Sequence, residues 1–440
     1  MLDRRIVQDF GLEQGVTLFR PEAQAIISFG DGQSMALFDD MERTKGEISR
    51  FSAHDAQQFE NYAADLDLAG NVYQEILSSE EILSRNEFRD HLNEHHAGLG
   101  SRFVDGSLRQ ALSYYFSDPS VQAALGGTSF LYNFSPDDVG TAFALLYLAQ
   151  FRAGGTSGWA FYPGGMGALM EKMAMRLAEL GGVIRFNQKV TGIIVKNGKA
   201  STVKCEGDVY NDFDLVVSGY PFERLIFEGG SAPKPAIADG VGSKINLLLE
   251  RPIEFDLKNT EHAQFARETM FVFCPSLDYM SRAYQSAQKQ GYSENPYFEI
   301  VQPSVADKSL SCGKHHLASM YCMFSAYSSF ASDRRVLDKW QAHLRDIFRR
   351  NGIRFPEGGS SEFLDPVNLE QKFGLVKGNV DHGNLSPENS FNNRAVILGR
   401  PYATPYDNVY MCGSSQFPGG EVTGVPGRRA AELILSNSKA

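Results

Sequence analysis

The chain has 440 residues, with 42 Lys+Arg against 53 Asp+Glu and a formal net charge of -11. That length exceeds what one hydrophobic core organises, so two or three domains are expected, and the acidic balance argues against nucleic acid or an anionic membrane as a bulk partner, since both select a basic face. Five cysteines (Cys205, Cys274, Cys312, Cys322, Cys412) form no C-x-x-C pair, which fits a reducing compartment without structural disulfides or zinc. No run of about 18 apolar residues exists and the N-terminus carries no signal-peptide apolar region, so the expectation is a cytoplasmic chain, peripheral to a membrane at most.

The first segment, LDRRIVQDFGL from Leu2, reads as a short helix ended by Gly11, with Leu2, Ile6 and Phe10 on one face. Residues 16–20, 25–29 and 34–38 read as short strands, the last two joined by a Gly30-Asp31-Gly32 turn. From Asp39 to about Arg152 the pattern is helical. Ser52 with Asp55 caps a helix reaching Leu77, and Ser135 with Asp138 caps another running through the apolar 142–151 stretch. The apolar positions Phe143, Leu146 and Tyr147 point to a core, in an insert of the kind that can also cover a greasy substrate. His91 and His95 stand one helical turn apart with His96 beside them. No third ligand cluster accompanies them, so they read as a solvated helix face rather than a metal site.

The run Pro163-Gly164-Gly165-Met166-Gly167 opens a helix with apolar positions Leu169, Met173, Leu177 and Leu180, closed by Gly181-Gly182. Strands are expected at 183–186, 189–195 and 200–205, the last two joined by Asn197-Gly198, and Asp214–Ser218 reads as a buried strand ending at a glycine. Helix, meander and parallel strand in that order suggest an α/β nucleotide-binding sheet. Beyond Gly229 the pattern predicts a second sheet, with strands at 244–249, 269–273 and 316–323, and a helix over 333–351. Cys322 lies in an apolar run and reads as a buried structural thiol. No G-x-S-x-G elbow, P-loop, H-E-x-x-H or internal repeat occurs.

The C-terminal stretch VYMCGSSQFPGGEVTGVPGRRAAELIL, from Val409, is a strand, a glycine loop and a helix start in sequence. Free N–H groups at a helix N-terminus and glycines that admit close backbone approach suit a phosphate or an anionic ring. Pro426 near the first helical position fits, and Thr423 or Gly424 can serve as N-cap. The alternative is an ordinary terminal helix behind a flexible loop.

Three blocks then stand in order: WAFYPGGMGAL from Trp159, FGLVKGNVDHGNL from Phe373, and GRPYATPYDNVYMCGSSQFPGGEVTGVPGRRAAELI from Gly399. Together they resemble the phytoene desaturase-like FAD-dependent oxidoreductases, and within them the branch labelled pyridine nucleotide-disulfide oxidoreductase domain-containing protein 2. The resemblance implies an α/β fold in which an incomplete Rossmann-type, glutathione reductase-like FAD-binding domain is interleaved with a substrate domain of mixed sheet and helices. The implied division is 1–152 (short strands and a helical insert), 153–230 (FAD-binding), 231–390 (substrate) and 391–440 (FAD-binding, C-terminal part). Gly413 and Ser414 would lie at the pyrophosphate and ribityl chain, and Pro418, Gly419, Gly420, Glu421 and Val422 along the isoalloxazine. The helix from Thr423 would point its N-terminus at the flavin. Gly164, Gly165 and Met166 would border the ring from the other side, and Val190 would hold adenine. His382, Tyr402 and Glu421 are the polar candidates on the substrate side. The cofactor implied is FAD, and the reaction is desaturation, oxidation or isomerisation of an apolar small molecule by hydride transfer.

This chain departs from that pattern in two places. A G-x-G-x-x-G turn after a buried strand is absent, so roughly 30 residues of βαβ unit are missing from the pattern, and Gln416-Phe417-Pro418 with Glu421 replaces a Thr-His-Pro and glycine run. The first departure predicts a misplaced gene start or a split gene, and with it an exposed apolar edge on an unfinished parallel sheet. It also gives an alternative function: a flavin-free binding or escort protein that holds an apolar or prenyl ligand in the same architecture.

Overall fold

The computed structural model describes residues 2–79, 81–129, 134–149, 160–229, 239–240, 242–311, 313–380, 382, 390–394, 401–420 and 422–437. In chain order the first part runs α1 (Arg4–Asp9), β1 (Ala25–Gly30), β2 (Gln33–Leu37), α2 (Met41–Ser49), α3 (Ala53–Ser78), α4 (Arg85–His95), α5 (Leu108–Tyr115), α6 (Pro119–Gly127) and α7 (Phe143–Ala149). The middle holds α8 (Gly165–Glu179), β3 (Val190–Lys196), β4 (Lys199–Cys205), β5 (Val209–Tyr210), β6 (Val216–Ser218) and β7 (Phe227–Glu228). Then come β8 (Gly242–Leu249), β9 (Glu254–Phe255), α9 (Thr260–Glu268), β10 (Met270–Phe273), α10 (Leu277–Gln290), β11 (Phe298–Val301), α11 (Pro303–Ala306), β12 (His316–Met323), α12 (Tyr327–Ser332) and α13 (Arg335–Arg350). The last elements are β13 (Ile353–Arg354), β14 (Ser360–Leu364), α14 (Pro366–Phe373), β15 (Val409–Met411) and α15 (Val425–Asn437).

The architecture is α/β. Its largest sheet has seven strands in the order β14-β8-β12-β11-β10-β1-β2. β1 runs parallel to β10, with Ile26 opposite Phe271, and antiparallel to β2. Side chains alternate across the sheet as the strand period demands. Met270 and Val272 join a core with the helical insert, while Phe271 and Phe273 join a second core with α9 and α13. Both faces are therefore covered, which is why β10 is apolar throughout.

Local signals explain the long helices. Ser52 accepts the Asp55 N–H at 3.1 Å to start α3, and Phe59, Tyr62, Leu66, Ala69, Tyr73 and Ile76 make its buried stripe. Trp340, Leu344, Ile347 and Phe348 do the same for α13. A smaller sheet, β5-β4-β3-β7, and a two-stranded parallel pair, β15-β6, share a third core through Ile193, Val195, Val409 and Met411. Asn408 joins them, its side chain accepting the Ala200 N–H at 2.7 Å and donating to the Ala200 carbonyl at 2.9 Å.

Several sequence expectations are corrected. Residues 16–20 form no strand, only a single bridge between Phe19 and Phe161. Ser135 and Asp138 close a turn, the Ser135 N–H donating to Asp138 Oδ2 at 2.8 Å, and the helix begins only at Phe143. Residues 183–186 are not a strand. Val183 is 77% and Phe186 79% exposed, because no described strand lies beside them to complete a ladder. α8 buries Leu169 alone of its apolar stripe, leaving Leu177 and Leu180 in solvent. Val217, the middle residue of β6, is exposed as well. Cys322 is buried, as its apolar run suggests, whereas Cys312 lies outside the described residues.

Among the described residues no helix is long and apolar enough to cross a membrane, and no group of three or more His, Cys, Asp or Glu could hold a metal. The His91 and His95 rings stand 4.9 Å apart on α4 without further ligands in such a group.

Candidate active site

The C-terminal strand ends where two backbones cross. The Cys412 N–H continues the pairing of β15 with β6 by donating to the Ser218 carbonyl at 2.8 Å. At the next residue, a Cβ on Gly413 would collide with the Gly219 carbonyl oxygen. Position 413 must therefore stay small, whereas a Cβ on Gly219 would meet only Cys412 Sγ at 3.9 Å. The Gln416 N–H donates to the Gly413 carbonyl at 3.0 Å and closes the first turn of the loop.

Beneath this loop lie two buried cations. Arg394, 1% exposed, donates from Nη2 to the Ser414 carbonyl at 2.9 Å. The Arg429 guanidinium lies 5.7 Å from the Phe417 ring centre. Phe417 itself joins an aromatic cluster with Phe391, which in turn meets Tyr73, Phe88 and Phe143 of the helical insert. The loop thus rests on the insert through rings and on two guanidinium groups through charge. A floor of that sign favours an anionic ligand on the loop.

Tyr402 is one of the side chains that hold the loop in shape. Its N–H donates to Gln416 Oε1 at 3.0 Å and its hydroxyl to the Phe417 carbonyl at 2.7 Å, and burial raises the hydroxyl pKa well above the ordinary tyrosine range. Left-handed backbone occurs at Tyr402 (φ 62°), Val422 (φ 59°) and His382 (φ 52°). For a β-branched residue such as Val422 that conformation is strained. His382 is lowered to about 4, first by burial and then by the Arg394 charge, so its imidazole is neutral at physiological pH. Its buried Nδ1 has no hydrogen-bond partner among the described residues.

The helix start is built from Thr423 and Gly424. Thr423 Oγ1 accepts the Val425 N–H at 3.3 Å, and Gly424 is left-handed (φ +71°) with Ile6 packed where a Cβ would stand. α1 locks this turn from outside: the Asp3 N–H donates to the Thr423 carbonyl at 2.9 Å, and the Asp3 carboxylate pairs with Arg428 at 3.2 Å. At Gly427, by contrast, a Cβ would meet open space. The first turn of α15 is therefore open on one side.

Arg428 and Arg429 sit in that first turn, where the helix dipole disfavours cations. Their placement is explained by another helix. Arg429 Nη2 donates to the carbonyls of Ile76 (2.8 Å), Leu77 (3.3 Å) and Ser79 (2.7 Å), and Arg428 Nη2 to Leu77 at 2.9 Å. They neutralise the carbonyl end of α3, where a cation is favoured. Sequence reasoning missed both these residues and Arg394. The signal available was the Arg428-Arg429 pair itself, wrong for a helix start unless something accepts from it.

The second glycine block packs against the 307–310 segment. Gly164 is left-handed (φ 77°) and its N–H donates to Asp307 Oδ2 at 2.7 Å. Hydrogen bonds from the Ser309 side chain and then, against a burial penalty, from the Gly164 and Ser309 N–H groups hold that carboxyl below its usual range. Leu310 packs against Gly165, and Met166 is exposed. α8 reaches the C-terminal loop through one small core, in which Leu169 packs with Ile6 and Leu12, the same Ile6 that fills the space at Gly424. Ile6 of α1 thus touches both the 413–424 loop and α8, the helix that the 164–166 turn opens. Val190 begins β3 in the separate four-stranded sheet and is half exposed. Pro418 and Gly419 are buried within the loop and Gly420 partly so, while Glu421 lies outside the described residues.

The family model described as flavin containing amine oxidoreductase matches residues 4–435. The pyridine nucleotide-disulfide oxidoreductase domain-containing protein 2 of Rattus norvegicus is 23% identical over 92% of this chain and 77% of its own length. A phytoene desaturase of Fusarium fujikuroi is 25% identical over 98% and 78%. Among solved structures, an oxidoreductase from Methanosarcina mazei aligns over 98% of this chain and 84% of its own, with TM-score 0.57 at 12% identity. A putrescine oxidase redesigned in its cofactor binding aligns over 98% and 85%, with TM-score 0.55 at 13% identity.

Proposed function

We propose that this chain, which belongs to the flavin containing amine oxidoreductase family, is a FAD-dependent oxidoreductase whose flavin lies along the 413–424 loop and whose substrate is apolar. The observation that carries the reading is the glycine crossing at Gly413 and Gly219, which feeds a loop over the buried Arg394 and Arg429 into the open first turn of α15. The residues fit the isoalloxazine and ribityl end of FAD: a glycine just past a strand end, an open helix turn at Gly427, and a positive floor. A bound flavin supplies a two-electron acceptor for a hydride leaving a substrate carbon.

What the chain's own residues contribute is positioning. Gly413 and Ser414 would seat the ribityl and pyrophosphate groups, and Pro418, Gly419, Gly420, Glu421 and Val422 would border the ring. Thr423 and the α15 N-terminus would face its electron-poor edge, with positive potential that favours charge arriving there. Gly164, Gly165 and Met166 would close the far side, and Val190 would meet adenine. Neutral His382 and buried Tyr402 shape the substrate side without serving as strong acids. Hydride transfer asks for alignment and exclusion of water, which the aromatic cluster behind Phe417 provides.

The apolar substrate is supported by the phytoene named in relatives such as the Fusarium fujikuroi desaturase and by the aromatic insert on which the loop rests. Anaerobic mixing of the FAD-loaded chain with an apolar polyene or with putrescine, while flavin absorbance is followed, tests this. Bleaching by the polyene alone is expected. Bleaching by putrescine alone would move the substrate to amines, and a purified chain that retains prenyl ligand but takes up no flavin would favour the escort alternative.

A further inference from the structure

Outside the loop and its supports, three polar groups of different elements line up, two of them buried. Ser34 of β2 places Oγ 2.9 Å from Nδ1 of His262 in α9, and His262 Nε2 stands 3.3 Å from Oε2 of Glu47 in α2. Ser34 and His262 are 2% and 1% exposed. Glu47 in turn receives Arg50 Nη1 at 2.5 Å and the Ala36 N–H at 3.4 Å. Burial by itself would push the Glu47 carboxyl up; the hydrogen bond from His262, followed by the charges of His262 and Arg50, brings it below its usual range. It is therefore ionised and stands at Nε2, while Nδ1 faces the serine hydroxyl, so the ring bridges the two as a general base requires.

A cavity of about 330 Å³ opens beside the serine, lined by Gly32, Gln33, Ser34, Arg50, Phe51 and Lys258. Ser34 is thus at once the hydrogen-bond partner of His262 and a wall of the cavity. No residue of this set belongs to the 413–424 loop or to the contacts that support it. A nucleophile hydrogen-bonded to a base, the base to a carboxylate, and a space beside the nucleophile are three of the geometric elements that acyl transfer uses.

We propose that Ser34 is a nucleophile served by His262 as general base and by Glu47 as a positioning residue, and that the cavity takes a small carboxylic ester with an anionic acyl tail. Arg50 and Lys258 are the cations that match the tail. Ser34 Oγ bonds to the acyl carbon as the ester C–O bond breaks. The hydroxyl proton passes to His262 Nδ1 and from there to the leaving alkoxide. Water then takes the same path: it gives a proton to Nδ1, bonds to the acyl carbon, and the carboxylic acid departs as Ser34 recovers its hydrogen. No oxidant or reductant is needed, and the step stands or falls independently of flavin.

The test is a fluorophosphonate probe on the full chain, read by intact mass and peptide mapping, with hydrolysis of the p-nitrophenyl monoester of succinate alongside. One phosphonyl group on Ser34 is expected, absent in Ser34→Ala and slowed about 100-fold in His262→Gln, as loss of a general base implies. Glu47→Gln should lower kcat more than it changes KM, and Glu47→Asp should restore part of the lost kcat. Should the buried variants melt early, Lys258→Ala keeps the proposal open to refutation: it should raise KM for the succinate ester more than for p-nitrophenyl acetate. A folded wild-type chain without an adduct on Ser34 overturns the proposal, as does equal labelling of folded His262→Gln or an unchanged KM ratio in Lys258→Ala.

Discussion

Arg429 illustrates how little of the site's support is visible in local sequence. It opens a helix, where its charge is unfavourable, yet donates to three carbonyls some 350 positions earlier in the chain. Arg394 and Ser414 are likewise joined only by the fold. Replacing Arg429 by Leu should leave carbonyls at the end of α3 without donors and cost about 1–3 kcal/mol, measurable as a lower midpoint in urea. Gly413 and Gly427, in contrast, were legible, because a glycine beside a strand end or helix start has few structural reasons to be there. His382 gives a pH prediction. Its folded value of about 4 lies below the ordinary 6.5, so the unfolded chain binds more protons between the two. Stability contributed by His382 is fully present above pH 6.5 and is lost as pH falls toward 4. Thermal melts across that window should show a decline that is smaller in His382→Gln; equal slopes in both proteins would contradict the assigned burial.

At the scale of elements, capping and turn chemistry were the dependable signals. Ser52, Gly30-Asp31-Gly32 and Asn197-Gly198 act within a few residues of themselves, and α3, the β1–β2 hairpin and the β3–β4 hairpin all formed. Signals that need a distant partner failed. Residues 183–186 have strand composition but no described neighbour to pair with, and the Ser135–Asp138 pair closed a turn because the same side-chain bonds serve turns and helix starts. α1 is the element on which the two glycine blocks depend, since Ile6 touches Gly424 and shares a core with Leu169. Gly424→Ala adds a left-handed penalty of about 1–2 kcal/mol and a collision with Ile6. It should therefore lower the melting temperature, and Ile6→Ala in the same chain should recover part of the loss. Additive losses in the double variant would show that the contact does not carry the effect.

Apolar burial is uneven across the described residues. The seven-stranded sheet is covered on both faces, whereas the region around α8 and the β15–β6 pair leaves Met175, Leu180, Val183, Phe186, Val217 and Ile226 exposed. Exposed apolar side chains in such number bind apolar probes and promote association. The native chain should bind 8-anilinonaphthalene sulfonate at neutral pH, and Val183→Ser with Phe186→Ser should reduce that fluorescence without lowering the melting temperature. Unchanged fluorescence in the double variant would place the apolar surface elsewhere. The same unevenness sets the central question, whether the loop, its positive floor and the open turn of α15 suffice to seat a flavin. Titration of the purified chain with FAD, followed by quenching of flavin fluorescence, measures this directly. Saturable binding of one flavin per chain is expected, weakened by Gly427→Val although that side chain meets open space in the protein itself. A folded chain that gives no saturable quench, or a Gly427→Val variant that binds as tightly as the parent, would contradict it.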